Sequence, residues 1–282
     1  MVKMEKYIDK AKILIEALPY INAFKGKIFV IKYGGSAMTD ERLKHQVLRD
    51  VSLLKSVGIK PVIVHGGGKE ITALLSEVGI ESKFVDGIRA TTEVEIDYVE
   101  MMLSGKINKS IVSLLMQNEC EAVGISGRDG GLLKIAPFDP MEPAFKRVGL
   151  VSEVNSKIIE TLLEAQFVPV ISPIGVDAEG NAYNINADEA AAAVAGALKA
   201  EKLIMLTDVD GVLNKGELIS TITTKQAEDY IAEGIITGGM IPKIECCIKS
   251  DVASTHILNG TLDHAILLEI FTQRGVGTVI LK

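Results

Sequence analysis

The stretch KIFVIKYGGS, residues 27 to 36, decides the fold. A β-branched and aromatic run of strand length closes on two glycines, and a helical pattern follows it to about Val57. KPVIVHGGGK, residues 60 to 69, repeats the scheme as strand, three glycines and helix. Two successive units of this kind imply crossover helices and therefore parallel strands.

Upstream, residues 3 to 24 place Ile8, Ala11, Ile13, Leu14, Ile15, Leu18 and Ile21 at mostly three- and four-residue spacings, which predicts an amphipathic helix before the first strand. Downstream, a mixed region (83 to 91) leads to helical patterns from about Thr92 to Asn118, and EAVGIS (121 to 126) reads as a buried strand. Residues 127 to 153 differ: glycines, prolines and the short alternating runs LLKIAPF and FKRVGLVSEV predict β-hairpins. A helix to about Gln166, the strand FVPVIS and an Ala-rich helix from Ala187 to Ala200 follow, the small side chains allowing close packing on a sheet. EKLIMLTDVDG, helices from about Thr224 and Met240, and strands near THILN and GTVIL complete the chain. The expected fold is α/β, a three-layer αβα sandwich around a mostly parallel sheet. No Pro-, Ser- or Gly-rich linker interrupts it, and the change of style near residue 175 is the softest boundary. The expected organisation is one structural domain with an N-terminal helix (1–25), a first lobe (26–175) and a second lobe (176–282) on a continuous sheet.

Composition narrows the function. With 282 residues, 48% of them hydrophobic, a large core is available. A net charge of -7 repels polyanions, which argues against nucleic acid or an anionic membrane surface as partner. Cys120, Cys246 and Cys247 do not make a disulfide framework or a zinc site. The first residues interleave charge with apolar side chains, and no run approaches the ~18 apolar residues of a membrane span, so the expected compartment is the cytoplasm.

Neither GxxxxGK[ST] nor a GxGxxG after the first strand is present. Instead Gly34-Gly35-Ser36, Gly66-Gly67-Gly68 and Gly238-Gly239-Met240 each sit where a turn meets a helix, a place where backbone approaches a ligand and helix-start amides hold anions. Lys32 lies within the first strand, where a buried ammonium is costly unless it meets an anion. Lys243 follows the Gly238-Gly239 pair at the start of a helix, and Asp188 precedes the Ala-rich one. His45, His65, His256 and His264 are scattered without HExxH-like spacing, and Asp208-Val209-Asp210-Gly211 lacks the remaining ligands of a calcium loop, so no protein metal site is expected.

Together, IKYGGSAM, VIVHGGGKEI, DGIRATT, GKINKSIV, YNINADEAAAAVA, LIMLTDVDGVL and ITGGMIPKIE resemble the amino acid kinase family in order and spacing, over essentially the whole chain. The resemblance is closest to the branch that phosphorylates N-acetyl-L-glutamate. It implies transfer of the γ-phosphoryl of ATP to the γ-carboxylate of N-acetyl-L-glutamate, the second step of arginine biosynthesis, with Mg²⁺ held mainly by ATP oxygens and water. By similarity, Lys32 and Lys243 neutralise the transferring group from opposite ends and Asp188 orients both. Gly67, Gly68, Arg89 and Asn184 match acceptor-binding positions. Gly34, Gly35, Thr207, Asp208, Gly238 and Gly239 match nucleotide positions.

Arginine-inhibited members resemble this chain in carrying an extra N-terminal helix that interlaces dimers into a hexamer. That implies an L-arginine site between this helix and the C-terminal lobe, with Tyr20, Lys202, His264, Glu269 and Gly275 as candidates. A PII signalling protein binds some such members, and the sequence leaves it open as a further partner here. Two rivals remain: a family kinase acting on glutamate, aspartate or carbamate, and a non-catalytic arginine sensor. The NINAD segment and the arginine of GIRATT favour the acetylated substrate, and the presence of Lys32, Asp188 and Lys243 favours catalysis.

Overall fold

The computed structural model describes residues 2–85, 87–139 and 141–282, without the side chains of residues 2, 3, 5, 6, 9 and 10. The chain runs α1 (Val2–Phe24), β1 (Ile28–Tyr33), α2 (Ser36–Thr39), α3 (Glu41–Ser56), β2 (Lys60–His65), α4 (Gly68–Glu77) and the small hairpin β3 (Phe84–Val85) with β4 (Ile88–Arg89). Next come α5 (Glu95–Glu100), a π-helical segment (Met101–Ile107), α6 (Asn108–Gln117), β5 (Ala122–Ser126), β6 (Leu133–Pro137), β7 (Gly149–Val154), α7 (Lys157–Glu164), β8 (Val168–Ser172), β9 (Ile174–Val176) and β10 (Ala182–Asn184). The remainder is α8 (Ala187–Ala197), β11 (Lys202–Thr207), β12 (Leu213–Asn214), β13 (Glu217–Leu218), β14 (Thr221–Thr223), α9 (Thr224–Ala232), α10 (Met240–Lys249), β15 (Ser254–Asn259), α11 (Ala265–Phe271) and β16 (Thr278–Leu281).

The main sheet has eight strands in the order β14-β16-β15-β11-β1-β2-β8-β5. All neighbours pair in parallel except β15 with β16. A parallel sheet is covered on both faces, so its strands are apolar throughout, and β1 and β2 are buried over five of their six residues. Alternation along β1 sends Val30 into one core cluster and Phe29 and Ile31 into the other. Lys32 shares the face of Val30, the face on which the alanines of α8 pack. Because β1 sits between β2 and β11, the order of the sheet reverses around it, which is where open α/β sheets bind ligands beyond the strand C-termini. The glycine turns after β1 and β2 and the Thr207-Asp208 turn after β11 all open there.

One expectation needs correction. It concerns α1, which buries no apolar stripe on its own lobe: Ile13, Leu14, Ile15 and Leu18 are 50% to 72% exposed, while its last turns reach α11 and Phe29. Its spacing is helical, but Ile13, Leu14, Ile15 and Leu18 stay exposed. The helical region expected from Thr92 to Asn118 is present as α5, a π turn and α6, and a π turn is the kind of irregularity that collects at functional sites. A four-stranded sheet in the order β10-β9-β6-β7 spans residue 175 and carries Asn184 on β10.

Candidate active site

The site is built where β1, β2, α8 and α10 meet. Lys32 is 8% exposed and Asp188 7%, and they form an ion pair of 2.9 Å from Nζ to Oδ1. Lys243, in the first turn of α10, donates to Oδ2 at 2.5 Å. One carboxylate therefore holds two ammonium groups, one on each oxygen. Burial alone would raise the Asp188 carboxyl, but Lys32 and then Lys243 outweigh it and hold it at about 2. The trio keeps one excess positive charge in a mostly buried place, which favours an anion beside it. Asn186 caps α8 by accepting from the Asp188 backbone N–H, which fixes the carboxylate at the helix start.

The glycines explain themselves by what surrounds them. Lys32 folds over Gly34, where a Cβ would lie 2.8 Å from Nζ. Gly35 has φ +67°, and the Asp208 carboxylate fills the place of a side chain while accepting from Ser36 N–H at 2.7 Å. Asp208 is thereby tied to the turn after β1. Thr207 ends β11, and Gly238 (φ +56°) with Gly239 leads into α10 just ahead of Lys243.

Next to the trio lies a cleft of about 150 Å³ lined by Gly66, Gly67, Gly68, Arg89, Asn184 and Asn186, with Phe84, Ile88, Leu103 and Val148 as apolar wall. Helix α4 starts at its rim with Gly67 as N-cap and no side chain on its first amides, which leaves them for an anion. Arg89 is buried, and among the described residues no carboxylate pairs with it. Its Nη2 donates to Gly68 O at 2.6 Å and Thr72 Oγ1 at 2.7 Å, its Nη1 to Ser82 Oγ at 2.6 Å, and the guanidinium stacks 4.5 Å from the Phe84 ring. Burial pulls its pKa down from the ordinary value. Both Nη2 hydrogens are taken, so a carboxylate gripped through a parallel pair displaces one of those contacts. Asn184 donates to Thr91 Oγ1 at 3.1 Å. Asn186, Thr72, Ser82 and Phe84 escaped the sequence reading, although the NIN triplet that contains Asn186 was the available signal.

The candidate arginine residues converge only in part. Lys202 Nζ lies 2.9 Å from His256 Nε2, and His256 Nδ1 lies 2.7 Å from Glu269 Oε1. Glu269 Oε2 accepts from Val276 N–H at 2.7 Å, and a Cβ on Gly275 would lie 2.9 Å from it. Phe24 of α1 stacks 5.3 Å from Lys202 Nζ, and Tyr20 sits half-buried one turn earlier. The histidine of this cluster is His256, which was missed. His264 pairs instead with the buried Asp50 at 2.7 Å, in a left-handed conformation at the start of α11. Burial raises the Asp50 carboxyl to about 6.

A lysine–carboxylate–lysine trio beside a cleft with open helix-start amides, at the reversal point of a parallel sheet, is the arrangement of an α/β enzyme that handles phosphoryl groups. Residues 27–258 match the amino acid kinase family, and the chain belongs to it. Within the family it falls among the acetylglutamate kinases. It is 52% identical to the acetylglutamate kinase of Caldanaerobacter subterraneus subsp. tengcongensis, over 100% of this chain and 97% of that one. Identity is again 52% to that of Aquifex aeolicus, over 98% and 99%. Among solved structures, an N-acetylglutamate synthase from Neisseria gonorrhoeae, complexed with coenzyme A and N-acetyl-glutamate, superposes with a TM-score of 0.85 at 26% identity. That match covers 96% of this chain and 63% of the synthase, so the chain spans less than two thirds of that relative. A carbamate kinase from Giardia lamblia bound to AMP-PNP, 18% identical with a TM-score of 0.68 over 91% of this chain and 99% of its own, shares the fold.

Proposed function

We propose that the cleft binds N-acetyl-L-glutamate, that ATP meets it across the Lys32-Asp188-Lys243 trio, and that the product is N-acetyl-L-glutamyl 5-phosphate. The observation that carries this reading is the single buried carboxylate ion-paired to two lysines beside the open start of α4. An acceptor carboxylate with an ordinary pKa of ~4.3 is already ionised at neutral pH, so no general base is needed. Catalysis then rests on in-line placement and charge neutralisation. Lys32 and Lys243 supply two ammonium groups, and Asp188 positions them without taking part in bond making. Arg89 and the α4 amides hold acceptor oxygens, Asn184 and Asn186 meet polar substituents, and the Phe84, Ile88 and Leu103 wall excludes water. Gly34, Gly35, Thr207, Asp208, Gly238 and Gly239 border the nucleotide. No cluster of three His, Cys, Asp or Glu side chains occurs among the described residues, and Asp188 is taken up by the lysines. A Mg²⁺ ion therefore fits only as one carried on triphosphate oxygens and water, where it would supply further charge neutralisation.

Regulation is part of the proposal. The exposed Ile13, Leu14, Ile15 and Leu18 of α1 suit burial against a second copy, as in a hexamer built from interlaced dimers. L-arginine fits between α1 and α11, its guanidinium at Glu269, with Lys202, His256 and Gly275 around it. No helix among the described residues is long and apolar enough to cross a membrane, and the reading places the enzyme in the cytoplasm, with a PII protein as a further partner.

The test is ATP consumption with N-acetyl-L-glutamate, L-glutamate and L-aspartate offered separately, each with and without L-arginine. Turnover confined to the acetylated substrate and suppressed by arginine is expected. Turnover without suppression removes the regulatory part, and arginine binding without turnover leaves a sensor.

A further inference from the structure

The GKINKSIV motif takes no part in the chemistry above, yet its Asn108 is fully buried at the start of α6, directly after the π turn. Its Nδ2 lies 2.9 Å from Val170 O, 3.3 Å from Ile125 O and 3.2 Å from His65 Nε2. Lys109 Nζ donates to its Oδ1 at 3.1 Å, and Gly124 in β5 leaves the space that this oxygen fills. His65, also fully buried, places Nδ1 2.8 Å from Gly66 O. A carbonyl only accepts, so Nδ1 carries the hydrogen and Nε2 keeps a lone pair, which Asn108 satisfies. Burial lowers the His65 pKa to about 4, so the direction of this chain of hydrogen bonds holds throughout neutral pH. The π turn reaches the same loop from its other side. Ile107 and Leu103 press on the Gly67 Cα so closely that a Cβ there would overlap both.

Gly66 is thus tethered through His65 to Asn108, while Gly67 is wedged by the segment that delivers Asn108. The tethered loop carries the open amides of α4 and the Gly68 carbonyl that holds Arg89. We propose that His65 and Asn108 are positioning residues for the phosphoryl acceptor, setting the Gly66–Gly68 loop so that its amides and Arg89 meet the acceptor carboxylate together. The inference rests on the reading of the cleft as the acceptor site. An ordinary buried polar pair would support folding alone, whereas this pair ends on the loop that binds substrate.

His65→Leu removes both hydrogen bonds at similar volume, and His65→Gln restores one donor and one acceptor. For His65→Leu, kcat/KM toward N-acetyl-L-glutamate is expected to fall about 100-fold with the KM for ATP changed less than about threefold, since a displacement near 1 Å costs that much in reaction geometry. His65→Gln is expected to recover about tenfold of that loss, about 1.4 kcal/mol. Equal losses toward both substrates, or no difference between the two variants, overturn the proposal. Should His65→Leu fail to fold, histidine nitrogen NMR of the wild-type protein decides. The Nδ1–H form is expected throughout neutral pH, with a His65 shift on adding N-acetyl-L-glutamate alone, and an unmoved signal at saturation overturns the proposal. Wild-type turnover tests the cleft separately: its absence removes that reading, while turnover with undifferentiated variants removes only the positioning role.

Discussion

Two lysine–carboxylate clusters occupy the second half of this protein's sheet, and they differ in charge balance. At the candidate active site one carboxylate, Asp188, serves two ammonium groups. At the α1–α11 junction one carboxylate, Glu269, meets one lysine through a histidine whose pKa burial lowers. His256 is accordingly neutral at pH 7, and the second cluster carries no net charge. A cationic excess in a partly buried cleft attracts phosphate and carboxylate. A balanced cluster at a surface seam does not.

The comparison breaks first at the lysines. Lys32→Met or Lys243→Ala is expected to lower kcat at least ~100-fold with the fold retained, read by steady-state kinetics beside thermal melting. Full turnover in either variant would remove the charge argument.

Asp188 sharpens the comparison through acid stability. Its carboxyl falls from 3.8 to about 2 on folding, so it stabilises the native state above pH 3.8, and that contribution disappears as pH drops toward 2. The difference corresponds to roughly 2 kcal/mol. Urea unfolding of the wild type and of Asp188→Asn between pH 5 and pH 2 is expected to converge as the pH falls, and a constant gap contradicts the pairing.

Arg89→Lys keeps the charge but loses the planar fork and the stacking on Phe84, and the KM for N-acetyl-L-glutamate is expected to rise about tenfold with the KM for ATP unmoved. The smallest effect falls at the balanced cluster. Glu269→Ala is expected to raise the ratio of half-inhibiting arginine concentration to acceptor KM about fivefold, the lower end of ordinary coupling between sites. An unchanged ratio separates this cluster from regulation.

Much of the fold was legible because parallel strands declare themselves locally. The β1 and β2 runs are buried on both faces and end in glycines, and those features lie within ten residues of one another. Lys32 was conspicuous for a related reason, since a lysine inside an apolar strand is a conflict that an anion resolves. His256 was missed because its relevance depends on strand pairing. β11 and β15 align Ile204 with His256, which puts His256 on the same face as Lys202, and no periodicity within either segment reveals it. His264 stands close to Glu269 in sequence, whereas the turn before α11 directs it to Asp50. The helical spacing of α1 was equally visible, but burial is a property of what lies opposite.

By itself the sequence determined the strand and helix periods, the glycine turns and the residue types able to move a phosphoryl group, because these follow from local sterics and from the cost of burying charge. Only the tertiary structure decided which histidine joins Lys202, and that Asn108 reaches the glycine loop through His65. Those contacts join segments far apart in the chain, and packing and loop closure, which no local pattern records, select among the partners that chemistry allows.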